Sequence, residues 1–192
     1  MITIIDYNSG NIASVCNALK KLGMNYKLSS NPEDVANAEK IIFPGVGRAS
    51  YAMDQLKSRG LIDIIRECKI PFLGICLGLQ LLADFSEEDS TECLSIIPGT
   101  VRKFSDDLRV PEVGWNKVFF RKSSPLFKDI DDGSYFYFVN SYYFDGDAIG
   151  VTNYGCQFSS VVHRGNFYAT QFHPEKSGEA GLKLLSNFCE LC

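Results

Sequence analysis

Histidine and tryptophan are scarce in this 192-residue chain, which has two of the first and one of the second. With only His163 and His173 available, and with Cys189 and Cys192 lacking a second cysteine pair, a structural metal is not expected. Basic residues are not in excess either. Nineteen Lys and Arg against 23 Asp and Glu give a formal charge of −4, so nucleic acid is not an expected partner. No apolar run approaches membrane-spanning length. The opening Met1-Ile2-Thr3-Ile4-Ile5-Asp6 is too short and too uncharged at its start for a secretory signal, so a cytoplasmic protein is expected. No repeat, low-complexity tract or linker divides the sequence, and its length suits one core, so residues 1–192 read as a single domain with one active site.

What is present is an alternation. Ile2 to Asp6 is a β-branched run closed by the turn Asp6-Tyr7-Asn8-Ser9-Gly10-Asn11, after which Ile12, Val15, Leu19 and Leu22 recur at helical spacing until Gly23. A strand at Tyr26 to Leu28, a helix opened by Asn31-Pro32-Glu33-Asp34, and strands at Ile41 to Phe43 and Phe72 to Ile75 continue the pattern, with a helical segment near Leu61 to Glu67. Such alternation predicts an α/β fold with a mostly parallel sheet and binding groups at the carboxyl ends of its strands. From about residue 94 the sequence becomes β-rich, with short strands expected at 100–104, 117–120, 134–139, 149–153, 160–163 and 167–171. A closing helix is expected over Gly178 to Cys192.

Seven cysteines, an odd number scattered through the chain, argue for reduced thiols. One of them stands apart. Gly74-Ile75-Cys76-Leu77-Gly78-Leu79-Gln80 follows a predicted strand and opens a helix expected to run from Leu77 to about Asp84. Glycines on both sides permit the sharp turn that lifts a nucleophile above a sheet, and a helix N-terminus favours thiolate. A buried strand-end cysteine with packing glycines is the plainer alternative. A thiol nucleophile needs a base and a group to orient it, and Gln171-Phe172-His173-Pro174-Glu175 offers both. Taken by itself, His-x-Glu would read as a surface loop, and His163 reads as a hydrogen-bonded strand residue. A third element, Phe43-Pro44-Gly45-Val46-Gly47, ends a strand with glycines that can turn N–H groups toward an oxyanion. A dinucleotide fingerprint is ruled out there, because its last glycine would fall on Ser50.

Together and in this order, these three loops resemble the class I glutamine amidotransferases. Ser86-Glu87-Glu88, Gly114-Trp115-Asn116, Tyr137-Phe138-Val139, Ser141-Tyr142-Tyr143 and Asp6-Tyr7 with Gly10-Asn11 are similar to the glutaminase subunits of imidazole glycerol phosphate synthases. The resemblance implies a flavodoxin-like fold, a Cys76, His173, Glu175 triad, and an oxyanion hole shaped by Gly45, Val46, Gly47 and Leu77. It also implies that Gln80, Glu88, Ser141 and Tyr142 hold L-glutamine and that no cofactor is needed. Asn11, Trp115, Asn116, Tyr137 and Lys176 would then face a (β/α)8-barrel synthase subunit in a heterodimer. That subunit would receive ammonia to make imidazole glycerol phosphate and AICAR in histidine biosynthesis.

Two positions depart from the family pattern: Glu112 and Asn140 stand where histidines are usual. A paralogue feeding ammonia to amidation of a surface sugar is therefore an open alternative. Readings of other classes are a cysteine peptidase or deglycase on a related fold, and a non-catalytic flavodoxin-like binding module.

Overall fold

The computed structural model describes residues 1–8 and 11–192; Gly10 of the opening turn lies outside them. The first half alternates as the spacing predicts: β1 (Ile2–Ile5), α1 (Ile12–Lys21), β2 (Tyr26–Ser29), α2 (Pro32–Ala36), β3 (Lys40–Gly45), α3 (Ala49–Ser58), α4 (Ile62–Arg66), β4 (Phe72–Cys76) and α5 (Leu77–Leu81). Asn31 caps α2 by accepting Glu33 N–H at 2.9 Å, with Pro32 in the first turn, where its missing N–H costs nothing. Helix α3 is absent from the sequence reading. Its buried face is only Ala49, Ala52 and Leu56, too small to stand out as an apolar stripe.

The second half contains β5 (Phe85–Ser86), β6 (Thr91–Glu92), β7 (Gly99–Lys103), β8 (Glu112–Lys117), β9 (Phe119–Phe120), β10 (Tyr135–Asn140), β11 (Tyr142–Gly146), β12 (Gly150–Tyr154), β13 (Cys156–Arg164), β14 (Phe167–Thr170) and the closing helix α6 (Gly178–Leu191). Three expectations change. Helix α5 stops at Leu81 instead of Asp84, because the chain turns there into β5. The segment expected as one strand over 117–120 is the end of β8 and the separate β9. Strands β8 and β11 were not foreseen as strands.

The main sheet runs β2-β1-β3-β4-β14-β13-β11-β7-β5-β6, with β12 joined to β13 and β9. Strands β2, β1, β3, β4 and β14 are parallel neighbours, and β13 turns the sheet antiparallel. Strand β4 is buried at every residue, as expected for a central strand covered by helices on both faces. Two cores result, one holding Phe43, Phe72, Leu79 and Phe167, the other Leu73, Ile75, Phe136, Phe172 and Phe188. Strands β8 and β10 form a separate antiparallel ribbon with Trp115 opposite Tyr137 and Glu112 opposite Asn140. Among the described residues no helix is long and apolar enough to cross a membrane.

Candidate active site

Three adjacent parallel strands end together. Cys76 closes β4, its register partner Gly45 closes β3, and β14 runs through Gln171 and Phe172 to His173. Adjacency in the sheet thus gathers residues separated by up to 128 positions at one carboxyl edge, where an open α/β sheet forms its crevice.

Cys76 has φ 55° and ψ −108°, a conformation a side-chain-bearing residue adopts only when its surroundings hold it there. What holds it is close packing of α5 on β3. A Cβ on Gly78 would lie 2.0 Å from the Phe43 carbonyl oxygen, so this approach is open to glycine alone. The thiol is buried, 3.8 Å from Gln171 Nε2 and 3.9 Å from the Val139 carbonyl.

His173 leads into a short 3-10 turn, Pro174–Lys176, which folds Glu175 back onto the imidazole: Glu175 Oε1 accepts from Nδ1 at 2.7 Å. Both side chains are buried. Burial by itself lowers the pKa of His173, but the negative charge and hydrogen bond of Cys76, with those of Glu175, outweigh it and push the value up to about 10. Asn11 was expected to face a partner. Its side chain is instead buried behind this pair, with Nδ2 donating to Glu175 Oε1 and lying 3.1 Å from His173 Nδ1.

A cavity of about 280 Å³ opens onto Cys76 and His173. Val46, Gly47, Leu77, Gln80, Glu88, Ser141, Tyr142 and Lys176 border it, together with Pro111, Val139 and Asn140, to which the sequence reading gave no catalytic or glutamine-binding role. Gly47 takes φ +105°, so the loop after β3 needs glycine there. Arg48 and Ser50 pin this loop to Asp89, and Glu88 accepts Ala49 N–H at 2.8 Å. Burial raises the pKa of Glu88. Gln80 Nε2 donates to the Tyr142 carbonyl at 3.0 Å and to Gln171 Oε1 at 3.2 Å, linking the elbow to β11 and to the strand that carries His173. The sequence reading gave Gln171 no role of its own, although it lies two residues before His173 and so on the same side of an extended strand.

Outside the cavity, Trp115 and Tyr137 meet edge to face at 6.0 Å on the exposed side of the ribbon, and Lys176, at the cavity's border, is exposed. Asn116 is differently placed. Its amide is spent inside the chain, donating to Glu112 Oε1 at 2.8 Å and the Asn153 carbonyl at 3.0 Å and accepting from Lys117 N–H at 2.8 Å.

A buried cysteine on a strained strand-to-helix turn, a His-Glu pair at the next strand end and a glycine loop on the other side define a thiol amidohydrolase site. Residues 3–192 match the family Glutamine amidotransferase class-I, and the chain belongs to it. A solved glutamine amidotransferase superposes with a TM-score of 0.77 at 21% identity, covering 100% of this chain and 98% of that one, a likeness of fold. Within the family the chain is similar to proteins named imidazole glycerol phosphate synthase subunit HisH. That of Maridesulfovibrio salexigens is 48% identical over 100% of this chain and 97% of its own length. That of Dehalococcoides mccartyi is 47% identical with the same coverage.

Proposed function

We propose that the chain is the glutaminase subunit of an imidazole glycerol phosphate synthase, hydrolysing L-glutamine to glutamate and ammonia for a docked (β/α)8-barrel synthase subunit. The convergence of Cys76, His173 and the Gly45–Gly47 loop at three neighbouring strand ends carries this reading. Cys76 sulfur attacks the side-chain amide carbon, and the oxyanion is received by backbone N–H groups of Val46, Gly47 and Leu77. His173, held charged beside Cys76, protonates the departing nitrogen, and the C–N bond breaks to leave a thioester. Water, deprotonated by His173, then attacks the thioester and releases glutamate. Glu175 fixes the imidazole through Nδ1, with Asn11 steadying the carboxylate. Gln80, Glu88, Ser141 and Tyr142 border the space left for the amino-acid end of the substrate.

Support for the partner comes from the ribbon. Val113 is 60% exposed, Trp115 54%, Tyr135 54% and Val139 36%, all on one outer face next to the cavity, and such an apolar patch marks an interaction surface. Cys76→Ala should abolish glutamate formation and glutamine-dependent synthesis in the complex while synthesis from added ammonium salts persists. Glutamine turnover by that variant at the wild-type rate would refute the reading. The sugar-amidation alternative rests on Glu112 and Asn140 in place of the usual histidines, which the structure buries on the inner face of the ribbon and not on the outer face of Trp115 and Tyr137; it predicts that a sugar-pathway barrel, and not a histidine-pathway one, stimulates glutamine hydrolysis.

A further inference from the structure

Two buried acceptor oxygens lie without donors between the reaction cavity and its neighbour. Glu112 is 3% exposed and Asn140 6%, and among the described residues neither Glu112 Oε2 nor Asn140 Oδ1 has a hydrogen-bond partner. They are directly opposed across β8 and β10, so their side chains rise on the same face with Cβ atoms roughly 5 Å apart. Each side chain is held by its other atom: Glu112 Oε1 accepts from Asn116 at 2.8 Å, and Asn140 Nδ2 donates to the Tyr142 carbonyl at 3.0 Å. Asn140 borders the reaction cavity, Glu112 borders a second cavity of about 520 Å³, and Pro111 borders both.

A buried carboxylate without a cation and an amide oxygen without a donor are each costly. One group bearing several N–H donors and a positive charge satisfies both at once, whereas water supplies the hydrogen bonds and leaves the charge uncompensated. Burial also raises the pKa of Glu112, the condition a bound cation relieves. The other titratable groups on the second cavity are Arg109, which makes no ion pair among the described residues, and Tyr154, whose hydroxyl donates to the Arg109 carbonyl at 2.6 Å. Across Asn140, the reaction cavity contributes Cys76, Glu88, Tyr142, His173 and Lys176.

We infer that Glu112 and Asn140 form a receptor for one ammonium ion, the nitrogen product of the adjacent reaction, held between the two cavities. The ligand's identity rests on the glutaminase reading; the receptor rests on the paired oxygens. The test is the titration of Glu112, followed by 13C NMR of protein labelled at glutamate Cδ and assigned with Glu112→Gln, in ammonium chloride and in tetramethylammonium chloride of equal ionic strength. Tetramethylammonium carries the charge without N–H donors.

Ammonium should lower the midpoint of Glu112 in a concentration-dependent, saturable way, tetramethylammonium should not, and Asn140→Ala should weaken the ammonium effect. Superimposable titrations of the wild-type protein in the two salts would overturn the proposal. If that protein nevertheless released glutamate from glutamine, the receptor alone would be lost. If it showed the ammonium effect while neither it nor its complex with the barrel subunit hydrolysed glutamine, the receptor would stand and the glutaminase reading would fall.

Discussion

Glu175 accepts from His173 and from Asn11 on the same oxygen, so the second of the two charges that raise the imidazole pKa, after Cys76, is itself held from the far end of the chain. Removing it has a signed consequence. With Glu175→Gln the imidazole loses a neighbouring negative charge, its pKa falls from about 10, and the alkaline limb of the kcat/KM profile moves to lower pH. The rate should fall roughly 10²-fold or more, because the amide no longer enforces the Nδ1–H tautomer. A glutaminase pH profile of the variant in its complex checks both, and an alkaline limb that stays in place would contradict this account of the shift. The His-Glu pair was legible in the sequence because it spans two residues and a proline. The Asn11 contact was not, since it crosses 164 positions and no local pattern encodes it.

At the level of elements, the decisive unit is the β4-α5 elbow pressed on β3. Gly78→Ala places a methyl group 2.0 Å from a backbone oxygen that has no rotamer to yield, so α5 must shift. The expected cost is about 1–3 kcal/mol in urea unfolding, with loss of glutaminase activity well beyond the fraction unfolded. Wild-type stability and turnover in this variant would show that the elbow tolerates displacement. The Gly-x-Cys-x-Gly spacing announced this element because strand, turn and helix are consecutive in sequence. Strand order did not announce itself: that β14 lies beside β4 is a pairing of residues 167–170 with 72–75, settled by packing of the whole sheet. The ribbon was equally hidden, since the 114–116 segment was valued for its motif and carries a glycine at φ +147°, an uncommon residue for a strand interior.

For the molecule as a whole, the reacting groups and the exposed aromatic patch proposed for docking occupy different sheets. The main sheet carries Cys76 and leads to His173, while the ribbon carries Trp115 and Tyr137 on its outer face. Trp115→Ala should weaken binding of the barrel subunit by about 2 kcal/mol, the scale of an aromatic anchor, and Lys176→Ala should reduce stimulation of glutaminase by the barrel's ligand. Both variants should keep the unfolding midpoint of the free chain within experimental error of wild type. Calorimetric titration and coupled assays measure these effects; unchanged affinity and stimulation in both variants would place the docking surface elsewhere.

The join between the two sheets has a mechanical meaning. His173 donates its N–H to the Tyr137 carbonyl at 2.9 Å, and Tyr137 N–H returns to Ser177 Oγ at 2.9 Å, so the backbone of the ribbon grips the loop of the base on either side of Glu175. The Val139 carbonyl on the same strand faces the thiol at 3.9 Å. A load applied to the outside of the ribbon is therefore delivered as a lever would deliver it, to the imidazole and the sulfur together. In the proposed complex, a subunit seated on Trp115 would have its hand on the trigger without touching either reacting atom.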